Sequence, residues 1–324
     1  MALTMFAFSS LLLTLSIGAL PDAQPTTVQI RETVQRSIPF IEEKGLWWIE
    51  EKKCVTCHRV GNMVWSLQAA KQSGFTVSDR LAEWRQWSID KSLAENDKGK
   101  ITGLGNKEGV AQLLLSMDQA ENGAAQKETR NKLAAILLED QQPDGAWKAG
   151  GQLPFQKRPA AETNAVSTMW LTLALLAEGK NEASAPVMTN ALKFIQTSSP
   201  GKSVEWYALR LLLAVQTGET EVRDQLVKQL RSQQHADGGW GWMVTDDSDA
   251  LGTGLALYAL VSAGVDRQDP VIKGAQQFLV STQRDDGSWP VHGTKEKKKA
   301  SVQETAVYWG TTWAVIGLVE SLPR

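Results

Sequence analysis

Cys54, Val55, Thr56, Cys57 and His58 bring two thiols and an imidazole together within five positions, and the chain has no other cysteine. Two thiolates at this spacing can add to the two vinyl groups of a haem while the following histidine takes the iron. On this reading the cofactor is haem c, with Cys54 and Cys57 as thioethers and His58 as the axial ligand of the iron. The same thiols could instead close a disulfide. A zinc site would need further ligands, and only His235 and His292 remain as histidines. Sequence names no sixth ligand for the iron. Met63 lies too near His58 to cross the macrocycle easily, and Met117, Met169, Met188, Met243, His235 and His292 stand unranked.

A second group is Asp247-Ser248-Asp249-Ala250, immediately before the apolar run GTGLALYAL. Two neighbouring carboxylates can share a proton, which raises one pKa into the range of a general acid. An Asp at a helix N-terminus is equally an ordinary cap.

These groups need elements to hold them. Apolar residues recur at helical spacing in alternating segments, and the second of each pair ends at Gly74, Gly123, Gly179, Gly218 or Gly264, with the last closing the chain. The second segments are nearly apolar all round (TMWLTLALLA, WYALRLLLAV, GLALYALVSA, WGTTWAVIGLV), whereas the first ones carry a charged face. Six such hairpins predict an all-α chain with inner and outer rings, an (α/α)6 toroid. An open solenoid of the same hairpins would leave the inner row partly exposed and would need polar terminal caps, which are not evident.

One phrase occurs three times: LLEDQQPDGAW from Leu137, LRSQQHADGGW from Leu230 and LVSTQRDDGSW from Leu279. Its frame, Leu-x3-Gln-x2-Asp-Gly-x-Trp, suits a helix end followed by a turn. With Lys273, Gly274 and Phe278 ahead of Leu279, Gln283, Gly287 and Trp289, the third copy resembles the QW motif of the squalene–hopene cyclase and prenyltransferase superfamily. The resemblance covers about residues 128–320. It implies an α/α toroid whose outer helices are tied together by Gln and Trp, and an apolar pocket whose aromatic faces stabilise cations. Candidates for such a pocket are Trp65, Trp170, Trp206, Tyr207, Tyr258, Trp309 and Trp313, each of which is equally a plain core residue. Cyclases of the family use an Asp-x-Asp-Asp acid; Asp247 and Asp249 match its first and third positions, and Ala250 replaces the last. The protein prenyltransferases use an Asp/Cys/His zinc site, and no cysteine lies near Asp249. The cysteine motif resembles that of c-type cytochromes over its five residues only.

Residues 5–20 form an uncharged run of signal-peptide length, which predicts a signal peptide over 1–23. A polar leader over 24–34 and a single toroid domain over 35–324 should follow. A net charge of −2 argues against nucleic acid as a partner. The expectation is an exported, periplasmic squalene-cyclase-like toroid with haem attached, serving electron transfer with a redox partner protein or binding an apolar, isoprenoid-like ligand. A terpenoid cyclase with a structural Cys54–Cys57 disulfide, and a non-catalytic scaffold using the Lys295–Lys299 loop as a contact, are the alternatives.

Overall fold

The computed structural model describes residues 24–55, 59–117, 123–179 and 182–323. Twelve helices lie among them: α1 (Thr27–Trp47), α2 (Val60–Gln72), α3 (Leu81–Leu93), α4 (Lys107–Ser116), α5 (Ala124–Leu138) and α6 (Ala160–Ala177), then α7 (Ser184–Thr197), α8 (Val204–Thr217), α9 (Thr220–Ser232), α10 (Ala250–Ser262), α11 (Pro270–Thr282) and α12 (Glu304–Glu320). The even-numbered helices pack each on the next, and α12 meets α2, so the inner ring closes. The odd-numbered helices lie outside it, with α11 reaching α1. This is the all-α toroid that the alternating segments predict.

Burial follows the same division. Every residue of α12 from Ala306 to Val319 is buried, while α9 buries only Leu226 and Leu230. A helix that touches neighbours on all sides must be apolar all round, and one with a wet face needs only a stripe.

The first helix departs from expectation, because it begins at Thr27 and takes in most of the stretch read as a polar leader. Thr26 and Gln29 form a reciprocal capping box, and Ile30, Val34, Ile38 and Ile41 are buried along one face. The apolar stripe there is a single residue wide, so Gln, Thr and Arg outweigh it in composition. After α1 a π-helical turn, Trp48–Lys52, stops at Lys53 in a left-handed conformation with φ of 50°. Residues 1–23, where the signal peptide is expected, lie outside the described residues. Among those described, no helix is long and apolar enough to cross a membrane.

The repeated phrase does the same work three times. Gln141, Gln234 and Gln283 each donate through Nε2 to the glycine carbonyl of their own turn, at 3.0, 2.8 and 3.1 Å. The same nitrogens donate to Val187, Val271 and Thr33 at 2.9, 2.8 and 2.9 Å, all on the following outer helix. Gly145, Gly238 and Gly287 have φ of 91°, 86° and 82°. A Cβ on any of them would lie within 2.4 Å of a carbonyl oxygen of that next helix. Glycine is therefore required twice over, by conformation and by contact. The tryptophans are buried, and each indole donates to a carbonyl of the preceding helix end, from Trp147 to Glu139, Trp240 to Leu230 and Trp289 to Leu279. Their backbone N–H groups meet Thr168, Thr253 and Thr311 on the inner helices. Each phrase thus joins two outer helices and one inner helix.

Candidate functional site at the mouth of the inner ring

Because every inner helix is entered from the same side, the N-termini of α2, α4, α6, α8, α10 and α12 gather at one end of the toroid. Charged residues collect there. Arg59, just before α2, forms a double hydrogen-bonded pair with Glu304 of α12 at 2.7 and 2.5 Å. Arg158, just before α6, donates to Glu205 of α8 at 2.6 Å, and both side chains have no exposure to solvent. Glu162 accepts from the Ser203 hydroxyl at 2.6 Å and its backbone N–H at 2.8 Å. Loops roof this end: the Lys157 N–H donates to Thr294 at 2.8 Å, and its amine pairs with Asp246.

Beneath that roof Glu108 is buried, and Ser167 of α6 donates to it at 2.7 Å. Burial pushes its pKa up to about 7, and the charge of Glu205 pushes the same way, while Arg158 and the Ser167 hydroxyl pull back. A cavity of about 170 Å3 reaches it between α4 and α6, lined also by Leu104, Lys107, Trp147 and Leu171. Glu205 accepts from the Trp170 indole at 3.0 Å as well as from Arg158. A buried carboxyl that titrates near neutrality beside a buried ion pair can hold or release a proton at physiological pH.

That raised pKa sets the sign of the effect on stability. An ordinary Glu ionises near 4.5, so between about 4.5 and 7 the folded chain keeps a proton that the unfolded chain has lost. Stability falls as pH rises through that window and is level above it. Each tenfold gain in proton affinity is worth about 1.4 kcal/mol, so the loss should be a few kcal/mol. Urea midpoints measured from pH 4.5 to 8 should fall less steeply in Glu108→Gln than in the parent. Equal slopes would mean that Glu108 ionises normally.

The aromatic candidates separate into groups. Trp65, Trp170, Tyr258 and Trp313 come from α2, α6, α10 and α12 and touch one another with ring centroids 5.4–6.0 Å apart. Rings on helices that are not neighbours in the ring can meet only across its axis, so these four plug the centre. Burial raises the Tyr258 hydroxyl to about 12. Trp309 packs against Trp242, 6.4 Å away, at the mouth. Trp206 and Tyr207 pair with each other at 5.0 Å, with Trp206 against Gly201.

Asp249 is the N-cap of α10, accepting from Gly252 at 2.7 Å and from the Trp242 N–H at 3.0 Å. Burial raises its pKa to about 6, opposed by those backbone bonds and assisted by Asp246. Asp247 is exposed, so the neighbouring carboxylate that Asp249 feels is Asp246.

Cys54 is exposed and has no disulfide partner among the described residues, and Cys57 and His58 lie outside them. The chain on either side is fixed at the mouth. The Trp48 indole donates to the Cys54 carbonyl at 2.9 Å, Asn106 donates to Val55 at 2.8 Å, and Arg59 is fully buried over the rings of Trp48 and Tyr308. Among the sixth-ligand candidates, Met63, Met169 and Met188 are buried in the core, His235 is held by Ser248 at 2.9 Å, and His292 is exposed.

Residues 208–322 match the family model of the squalene-hopene cyclase C-terminal domain. A probable squalene–hopene cyclase from Sinorhizobium fredii is 36% identical over 115 residues, covering 33% of this chain and 17% of that protein. Lanosterol synthase erg7A from Aspergillus fumigatus is 25% identical over 289 residues, covering 80% of this chain and 37% of that one. The toroid is squalene-cyclase-like. The chain spans well under half the length of these curated relatives. Among solved structures, a glycosyl hydrolase family 88 protein from Bacteroides vulgatus superposes with a TM-score of 0.64 at 11% identity, covering 92% of this chain and 99% of that one. A polysaccharide lyase does so with a TM-score of 0.62 at 10% identity, covering 91% and 97%. At that identity the likeness is one of fold.

Sequence reading passed over Glu108, Arg158, Glu205 and Ser167. The available signal was an acid in the first turn of several apolar helices: Glu108, Glu162, Glu205 and Glu304. Such acids ordinarily complement the helix dipole at the surface, and only the closed ring makes some of them buried.

Proposed function

We propose that this chain is an exported, squalene-cyclase-like toroid that carries a covalently attached haem c at its N-terminal mouth, for electron transfer to a partner protein or for ligand binding at the iron. The observation behind this reading is the complete CVTCH motif, with Cys54 and Val55 before its last three residues and Arg59 after them held to the ring. The residues that surround it fit an attached haem. Cys54 is accessible, Trp47, whose ring lies 6.2 Å from that of Trp48, is 44% exposed, and Val55 turns inward as an anchor. The Trp plug fills the axis, so an apolar group attached here belongs on the rim. Cys54 and Cys57 would hold the haem and His58 would bind its iron, which supplies a one-electron couple. Buried Arg59, adjacent to His58 and locked to Glu304, would fix the direction from which that histidine leaves the ring.

The test is covalent retention. Protein made with the haem c attachment machinery should keep its Soret and α bands through acid–acetone extraction, since thioethers survive it. Cys57→Ser should weaken retention, and His58→Ala should change the spectrum while leaving some haem attached. A colourless protein with an intact Cys54–Cys57 disulfide would defeat the proposal.

The superfamily match and the raised pKa of Asp249 favour a cyclase as the second reading. Both oxygens of Asp249 already accept backbone N–H groups, and the plug stands where a cyclase needs room for a folded polyprenyl chain. Turnover of a polyprenyl substrate by haem-free protein, abolished in Asp249→Asn, would decide for it.

A further inference from the structure

The first copy of the repeated phrase departs from the other two. Asp140 stands where they have Gln233 and Thr282, and its backbone is left-handed with φ of 59°, whereas Gln233 has φ of −93° and Thr282 is still helical. The Trp147 indole accordingly donates to Glu139, eight residues back, where Trp240 and Trp289 reach Leu230 and Leu279, ten residues back. Lys107 holds the altered turn, donating to the Glu139 carbonyl and pairing with Asp140 at 3.0 Å. Left-handed backbone is uncommon outside glycine, and such departures gather where a chain builds a site.

The cavity of about 170 Å3 opens at this departure. The phrase lines it with Asp140, Trp147 and Lys148, and the inner helices line it with Lys107, Glu108 and Ser167. Their charges do not cancel. Lys148 is exposed and has no ion-pair partner among the described residues. The Lys107 side chain is 11% exposed and that of its partner Asp140 73%, so water screens the carboxylate far more than the amine. Glu108 is buried and keeps its proton up to about 7, while Glu205 of α8 and Arg158 before α6, which act on it from behind, offset each other as an ion pair. Below that pH the cavity is therefore positive inside, and the Glu108 carboxyl can donate to an anion that an ionised carboxylate would repel.

The remaining wall is apolar, from Leu104, Leu153 and Leu171. An apolar wall with a few convergent polar groups is the usual make-up of a small-molecule site. The volume equals that of about five or six waters at about 30 Å3 each, which sets the size of a ligand that could replace them.

We propose that this cavity binds a small carboxylate with a short apolar tail, its head among Lys107, Lys148 and the Glu108 carboxyl and its tail against Leu104 and Leu171. The site is separate from the cysteine motif and does not require haem to be present.

Butyrate, butan-1-ol and butylamine share a tail and differ in the charge of the head. Saturation-transfer NMR on the full chain at pH 6 should show saturable binding of butyrate, with the other two at least tenfold weaker. Lys148→Gln changes an exposed side chain, so circular dichroism should stay as in the parent while butyrate binds about tenfold more weakly. From pH 6 to pH 8 the parent should lose about tenfold in butyrate affinity as Glu108 ionises, and Glu108→Gln should lose none. Should Glu108→Gln not fold, Lys148→Gln and the pH profile of the parent decide. No saturable butyrate signal overturns the proposal, as does equal binding of butan-1-ol or butylamine. Butyrate binding that Lys148→Gln leaves unaltered, or that keeps its strength in the parent up to pH 8, overturns it as well.

Discussion

Arg158→Met should destabilise the protein by about 3–5 kcal/mol, because it removes the partner of a carboxylate that has no other cation within bonding distance among the described residues. Glu205 has no exposure, and its second oxygen already accepts from Trp170, so nothing is left to move onto the charge. The loss should be concentrated at high pH. At low pH Glu205 can take up a proton in the variant and become neutral, which recovers part of the stability. Adding Glu205→Gln to Arg158→Met removes the charge at every pH, so the double variant should be more stable than the single one. That order separates two roles for the arginine. A merely spatial role for Arg158 would make the two substitutions additive, whereas an ion pair makes the second compensate for the first. A cost below 1 kcal/mol for Arg158→Met, measured by urea unfolding, would show that Glu205 finds water. The buried pair would then carry little of the ring's stability.

How much of this could be read from the sequence depends on whether a residue acts along the chain or across the ring. The Gln, Asp, Gly and Trp of the repeated phrase act within a dozen residues of one another, so their frame is visible, and with it the toroid. Their inner-helix partners are not visible: Thr168 follows Trp147 by 21 residues and Thr253 follows Trp240 by 13, so no fixed spacing marks them. The start of α1 was hidden because one narrow buried stripe is enough for an outer helix, and polar residues fill the remainder. The pairing of Asp247 with Asp249 looked natural at a separation of two residues. The chain turns between Met243 and Asp246, however, which leaves Asp247 exposed, and Asp246 supplies the nearby charge instead. Glu108, Ser167, Arg158 and Glu205 come from four separate stretches. Only closure of the ring removes them from water, and burial in turn gives Glu108 its unusual proton affinity.

Closure of the outer ring rests on the third copy of the phrase. Gln283 reaches Thr33 and Ser37 on α1, and Gly287 faces the Arg36 carbonyl so closely that a Cβ would lie 2.1 Å from its oxygen. The other two copies join helices that follow one another in sequence, whereas this one joins the two ends of the chain. Trp289→Ala should cost about 3–5 kcal/mol, as truncation of a buried Trp usually does, and Trp240→Ala should cost a similar amount. The two should differ in what loosens. Loss of Trp289 frees the turn that holds α1, and among the described residues α1 continues into the ring through its C-terminal side alone, so amide exchange over residues 27–47 should rise by an order of magnitude or more. Loss of Trp240 opens the joint between α9 and α11, both of which remain tethered on either side, and should leave exchange in α1 unchanged. Gly287→Ala should reproduce the Trp289→Ala pattern, because it strains a φ of 82° and pushes against α1 without removing any buried aromatic surface. If exchange in α1 responds equally to Trp240→Ala and Trp289→Ala, the ring unfolds as one unit and the third phrase has no special role in closing it.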